Sequence, residues 1–228
     1  MRPINIANIH RQLGNYEQAL KWQIDCYEMQ KQILGEEHPN TLNSMLNLAI
    51  IYMEMGHCEQ ALELQINCYG AHKRVLGEEH PDTLKALCTL ANAYYSIRDY
   101  EKARELLTQC YEAQKQVLGE NHPDVLVSLQ NLAAVYCKLE DYEEAIVKFK
   151  ECIERSIQIL GATHPTTLCS VYNFAMILEE IGNYQSAAEV HKSCYDVRKI
   201  VLGEEHPDTQ ISLGALVRLY TILEGADE

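Results

Sequence analysis

Five histidines, His38, His80, His122, His164 and His206, each follow a glycine by three residues and precede a proline. The strings read LGEEHP, LGEEHP, LGENHP, LGATHP and LGEEHP, so four of the five also carry acid. Imidazole beside carboxylate is the pairing used for general acid–base chemistry and for metal ligation. Nine cysteines add further ligands or nucleophiles. Spacing argues against all of these uses. The histidines recur every 42 residues without an insertion, so stacked structural units would hold them apart, whereas a metal needs several ligands at one point. The cysteines are odd in number, contain no CxxC, and five of them (Cys26, Cys68, Cys110, Cys152 and Cys194) keep the same 42-residue interval. They read as small, reduced, packed side chains. No metal and no cofactor is expected.

Other routes to catalysis are equally sparse. The sequence has no Gly-rich phosphate loop, no nucleophile elbow and no HExxH. The chain is not expected to be an enzyme. Its formal net charge of -14, from 33 acidic against 19 basic residues, disfavours nucleic acid and anionic membranes as partners. No apolar run approaches the roughly 20 residues that cross a bilayer, and "MRPINIANIH" is not a signal peptide. A cytoplasmic location is expected.

The 42-residue period calls for repeated elements that hold these residues in place. Complete units run over 38–79, 80–121, 122–163 and 164–205, after a truncated unit at 1–37 and before a last segment at 206–228. Each unit has two amphipathic helical patterns. In the first, Met45, Leu48, Ala49 and Tyr52 make one apolar face. Between the two comes a short turn in which Asn15, Asp99, Asp141 and Asn183 suit the N-cap of the second helix. That helix ends at Leu-Gly, where Gly35, Gly77, Gly119, Gly161 and Gly203 suit a left-handed C-cap, and the following prolines suit the first turn of the next helix. Acid beside that start complements the helix dipole. The His-Pro strings are joints. Twelve of the 14 tyrosines keep repeat columns and are expected in the core, as is Trp22, which shares a column with Leu64, Leu106 and Val190.

The columns NLAIIY, TLANAYY, NLAAVY and NFAMIL in the first helices, and Ala19, Ala61, Ala103, Ala145 and Ala187 in the second, resemble the tetratricopeptide repeat. The likeness is to the 42-residue form of kinesin light chains and nephrocystin-like proteins, joined by LGxxHPxTL. It covers the whole chain. The resemblance implies an all-α, right-handed superhelical solenoid of antiparallel helix pairs, here one domain over 1–228 with about five pairs and a capping helix at 206–228. It also implies a concave groove, lined by first helices, that binds peptides. The cysteine column departs from the family, which usually has alanine there.

If the core stripe of the first helix centres on Leu48 and Tyr52, about 100° per residue places Asn43, Leu46, Asn47 and Ile50 on the opposite wall. Counterparts in other repeats include Asn5, Asn8, Arg11, Lys85, Asn92, Tyr95, Gln130, Asn131, Lys138, Tyr172, Asn173, Met176 and Arg218. One column is nearly constant: Asn5, Asn47, Asn131 and Asn173, broken by Thr89. An amide offers both donor and acceptor to a peptide backbone, and the resemblance implies that role for these four. Variable neighbours, Tyr95 and Tyr172 among them, would select side chains. The expected function is therefore a non-enzymatic adaptor holding a short segment of a partner protein. The alternative is a scaffold, or a slice of a longer array, that self-associates through its ends, the amino-terminal end above all.

Overall fold

A computed structural model describes residues 3–225, with side chains from Ile6 onward. Eleven α-helices account for nearly all of the described residues. The first of each pair are α1 (Pro3–Gln12), α3 (Pro39–Glu54), α5 (Pro81–Ser96), α7 (Pro123–Lys138) and α9 (Pro165–Glu180). The second are α2 (Tyr16–Leu34), α4 (Cys58–Leu76), α6 (Tyr100–Leu118), α8 (Tyr142–Leu160) and α10 (Tyr184–Leu202), and α11 (Pro207–Gly225) follows. The chain forms two compact units, one up to Ser128 and one from Leu129. Within each, consecutive helices are antiparallel neighbours.

The joints show why the histidine recurs. In each His-Pro string the imidazole is the N-cap: Nδ1 of His38, His80, His122, His164 and His206 accepts the backbone N–H two residues on, at 3.1 to 3.2 Å. Proline at the next position has no N–H to leave unsatisfied. An N-terminal donor is thus paired by a ring nitrogen where Ser or Asp would ordinarily stand. His164→Ala is expected to lower stability by about 1 kcal/mol, and His164→Asn to restore most of it, as measured by denaturant unfolding.

Two expectations at the joints are revised. The glycines do take positive φ, but Gly161 has φ 92 and ψ 157, outside the left-handed helical region and in territory that only glycine enters readily. The first acid of each string does not serve the following helix. It pairs with a lysine in the last turn of the preceding one, as in Lys31–Glu36 at 2.8 Å and Lys73–Glu78 at 2.6 Å. These pairs are exposed and contribute little. The repeat reading LGATHP lacks both partners, with Ile157 and Ala162 in their places. At the inner turns, Asp99, Asp141 and Asn183 accept cap bonds from Lys102, Glu144 and Ser186. Asn15 makes none.

Packing follows the repeat. Ala19, Ala61, Ala103, Ala145 and Ala187 are fully buried, as are Ala7, Ala49, Ala91, Ala133 and Ala175 on the first helices. Small residues on both faces let the paired backbones approach closely. The cysteine column is buried, and its sulfurs lie against neighbouring first helices: Cys68 Sγ is 3.5 Å from the Leu42 carbonyl, and Cys194 Sγ is 3.4 Å from that of Leu168. Burial pushes the Cys68 thiol up to about 12, so the reactive thiolate is suppressed. The tyrosine columns only border the core: Tyr111 is buried, most others are half-buried, and Tyr16, Tyr184 and Tyr220 are exposed. Trp22, expected to be packed, is 38% exposed on α2.

Candidate binding surface on the first helices

In the amino-terminal unit, the inner columns of α3 and α5 border an open cavity of about 330 Å³, lined by Ile50, Met53, Glu54, Thr89, Asn92, Ala93 and Ser96 and, from α4, by Gln65. Two expected residues, Ile50 and Asn92, meet here. Asn47 and Asn8 are half-buried on the same helix faces, and Asn43 and Lys85 are exposed. Arg11 is neutralised by Glu54, Nη1 to Oε1 at 2.7 Å. Tyr95 is half-buried, with its ring edge-on to Tyr100 at 5.4 Å. Leu46 does not belong to the wall. It is 7% exposed and packs with Leu42, Met45, Cys68 and Ala71, because α4 covers this side of α3 while the strip through Asn43, Asn47 and Ile50 stays accessible. The side chain of Asn5 lies outside the described residues.

The carboxy-terminal unit presents the same columns with different chemistry. Asn131, Asn173 and Met176 are half-buried, and Gln130 Oε1 accepts from Ser170 Oγ at 3.4 Å. Lys138 Nζ pairs with Glu180 at 2.7 Å. Arg218 Nη2 pairs with Glu179 Oε2 at 2.5 Å, and the other oxygen of Glu179 accepts from His191 Nε2 at 2.8 Å. His191 is fully buried on α10 and lies edge-on to the Tyr172 ring at 4.9 Å. Arg198 covers the same ring at 5.2 Å. Arg11, Lys138 and Arg218 are thus each matched by acid from a neighbouring first helix, which leaves the wall near neutral on a strongly acidic chain.

His191 is not among the expected residues, although a polar residue in the column Gln23, Gln65, Leu107, Phe149 and His191 is a usable signal. Burial holds its pKa below the ordinary value, against the opposing pull of Glu179 and with Arg218 and Arg198 adding to the depression. Tyr172 and Glu179 face it from α9, Arg198 shares its helix, and Arg218 faces it from α11. The unfolded chain therefore binds this proton first as the pH falls below about 6.5, so the stabilisation present above that value is lost toward the folded pKa. The free energy of unfolding should fall as the pH drops below about 6.5, and His191→Gln should flatten that slope. An unchanged slope in the variant would refute this linkage.

Among the described residues, no three His, Cys, Asp or Glu side chains converge as metal ligands. None of the described helices is long and apolar enough to cross a membrane.

Comparison with known proteins accords with this architecture. The family profile described as Tetratricopeptide repeat matches residues 3–69, 44–116, 98–157 and 128–200. No curated protein sequence matches the chain. Among solved structures, a Podosopora anserina protein described as a kinesin light chain with nearly identical TPR-like repeats is 27% identical. Alignment covers 86% of this chain and 93% of that one, with a TM-score of 0.72, or 0.74 for a point variant of the same protein. BtubC (BKLC) from P. vanneervenii is 18% identical over 90% of this chain and 83% of its own, with a TM-score of 0.76. A Rap protein complexed with Competence and Sporulation Factor is 13% identical over 98% and 63%, with a TM-score of 0.72. The last two show likeness of fold alone.

Proposed function

We propose that this chain, which belongs to the tetratricopeptide repeat family, is a protein-interaction module whose first helices hold a short peptide segment of a partner. Tetratricopeptide repeats generally bind proteins, and the finer reading rests on one observation: the cavity where the inner columns of α3 and α5 meet over Gln65. Its walls join the Ile50 and Met53 side chains to the exposed Asn92 amide, a mixture suited to an amphiphilic chain. The half-buried Asn47, Asn131 and Asn173 supply amides to a peptide backbone. Neutralised cations on the wall favour a ligand chosen by shape and hydrogen bonding over one chosen by charge.

Selection of peptides from a random displayed library on the whole purified chain tests this reading. A convergent set of binding sequences is expected, and none emerging would contradict it.

A second reading, self-association, is favoured by the outer face of α2, where Trp22, Met29 and Ile33 are 38%, 52% and 72% exposed. Sedimentation over a range of concentrations separates the two: a mass that rises with concentration, and that Trp22→Ala with Ile33→Ser abolishes, belongs to the scaffold.

A further inference from the structure

One repeat in the amino-terminal unit departs from its neighbour at the base of the groove. In the pair formed by α2 and α3, the Gln23 amide is anchored: Nε2 donates to the Ser44 carbonyl at 2.9 Å. Moving 42 residues along, the same roles fall to Gln65 and the Ala86 carbonyl. That carbonyl accepts instead from Thr89 Oγ1 at 2.9 Å, and Thr89 is the residue that breaks the asparagine column. Gln65 is 3% exposed, and its Oε1, like that of Gln23, has no hydrogen-bond partner; what sets Gln65 apart is that its Nε2 is not held by a carbonyl among the described residues. A buried acceptor in that state costs free energy that a bound donor would recover.

The same amide is part of the cavity lining. Around it the two hydroxyls are spent and the carboxylate is paired. Ser96 Oγ donates to the Asn92 carbonyl at 3.0 Å, Thr89 donates as described, and Glu54 is held by Arg11. What the cavity offers an occupant is apolar contact from Ile50, Met53 and Ala93, the Asn92 amide at its exposed side, and the buried Gln65 amide, whose terminal torsion turns freely enough to present its oxygen. Its volume of about 330 Å³ lies at the lower end for ligand sites, about 300–1,000 Å³. It fits a side chain and its own stretch of backbone.

We infer that Gln65 is a specificity-determining residue, seating one apolar residue of an extended peptide in this cavity while Gln65 Oε1 accepts that residue's backbone N–H. Thr89 keeps the amide free to turn its oxygen outward by occupying the carbonyl that holds the Nε2 of its counterpart. The inference rests on the peptide-binding reading above and extends it to one subsite.

The test uses a peptide selected on the whole chain, its backbone N-methyl scan, and the variants Gln65→Leu and Thr89→Val. Gln65→Leu should weaken binding on the order of tenfold and leave the melting temperature of the free protein no lower, since no internal hydrogen bond is lost. One N-methyl position should weaken binding to the wild type by a similar factor and have little further effect on Gln65→Leu. Thr89→Val frees the Ala86 carbonyl for Gln65 and should weaken binding with Gln65 intact, which keeps the inference testable if Gln65→Leu fails to fold. Unchanged affinity in both variants, or an N-methyl effect that multiplies with that of Gln65→Leu, would overturn the subsite and leave peptide binding standing. Dependence on a peptide lysine with a silent N-methyl scan would overturn it equally. No selected peptide at all overturns both.

Discussion

Replacing Phe149 by alanine will destabilise the carboxy-terminal unit by about 3–5 kcal/mol, the largest single effect expected in the chain. Phe149 is 1% exposed on α8, where it packs with Ala133 and Cys137 of α7, Ala145 of its own helix and Ile177 of α9. Truncation leaves a void between three helices, and the Ala133 and Ala145 side chains beside it are too short to move in and fill it. Contacts in repeat arrays are mainly between neighbours, and Phe149 joins one helix pair to the first helix of the next. The change should therefore uncouple α8 from α9 rather than loosen α8 alone. Hydrogen exchange should show α7, α8 and α9 losing protection together. A loss under about 1 kcal/mol, or one confined to α8, would refute this account of the core.

Asn131→Ala and Asn173→Ala combined should weaken a peptide held by the carboxy-terminal unit on the order of 30-fold, at about 1 kcal/mol for each amide that meets its backbone, and Asn47→Ala should weaken one held by the amino-terminal unit by about 1 kcal/mol. Stability should fall much less. Among the described residues nothing is bonded to the Asn47 or Asn173 amides, whereas Asn131 already has a partner and accounts for the modest loss expected. Alanine also favours the helix over asparagine, which offsets part of that loss. Binding titration beside thermal unfolding checks both halves. Folded variants with full affinity would place the peptide elsewhere.

The sequence is most legible where local chemistry is repeated. Five His-Pro pairs at one interval locate the helix starts, and Leu-Gly locates the ends, because proline and glycine restrict the backbone whatever surrounds them. The histidine ring as cap is harder to see, since capping is ordinarily assigned to short hydroxyl, amide or carboxyl side chains. Tertiary cover is less legible still. Leu46 sits beside Ile50 on a helical wheel, about 40° away, but the wheel does not say that α4 covers one and leaves the other half open. Trp22 shares a column with packed residues, yet on α2 nothing comparable lies over it. Gln65 and His191 escape the sequence for a different reason: the spacing of the second helices reads as packing throughout, while this one column reaches up between neighbouring first helices.

The central claim, that a peptide lies along the first helices, is tested most directly by photo-crosslinking. A selected peptide carrying a photoreactive residue at each position in turn is irradiated on the native chain, and the attachment sites are read by mass spectrometry. The account predicts attachment at Ile50, Met53 and Asn92 in the amino-terminal unit, and at Tyr172, Asn173 and Met176 in the carboxy-terminal unit where the peptide reaches it. Attachment confined to second helices, such as Met29 and Ile33 on the outer face of α2, would contradict it.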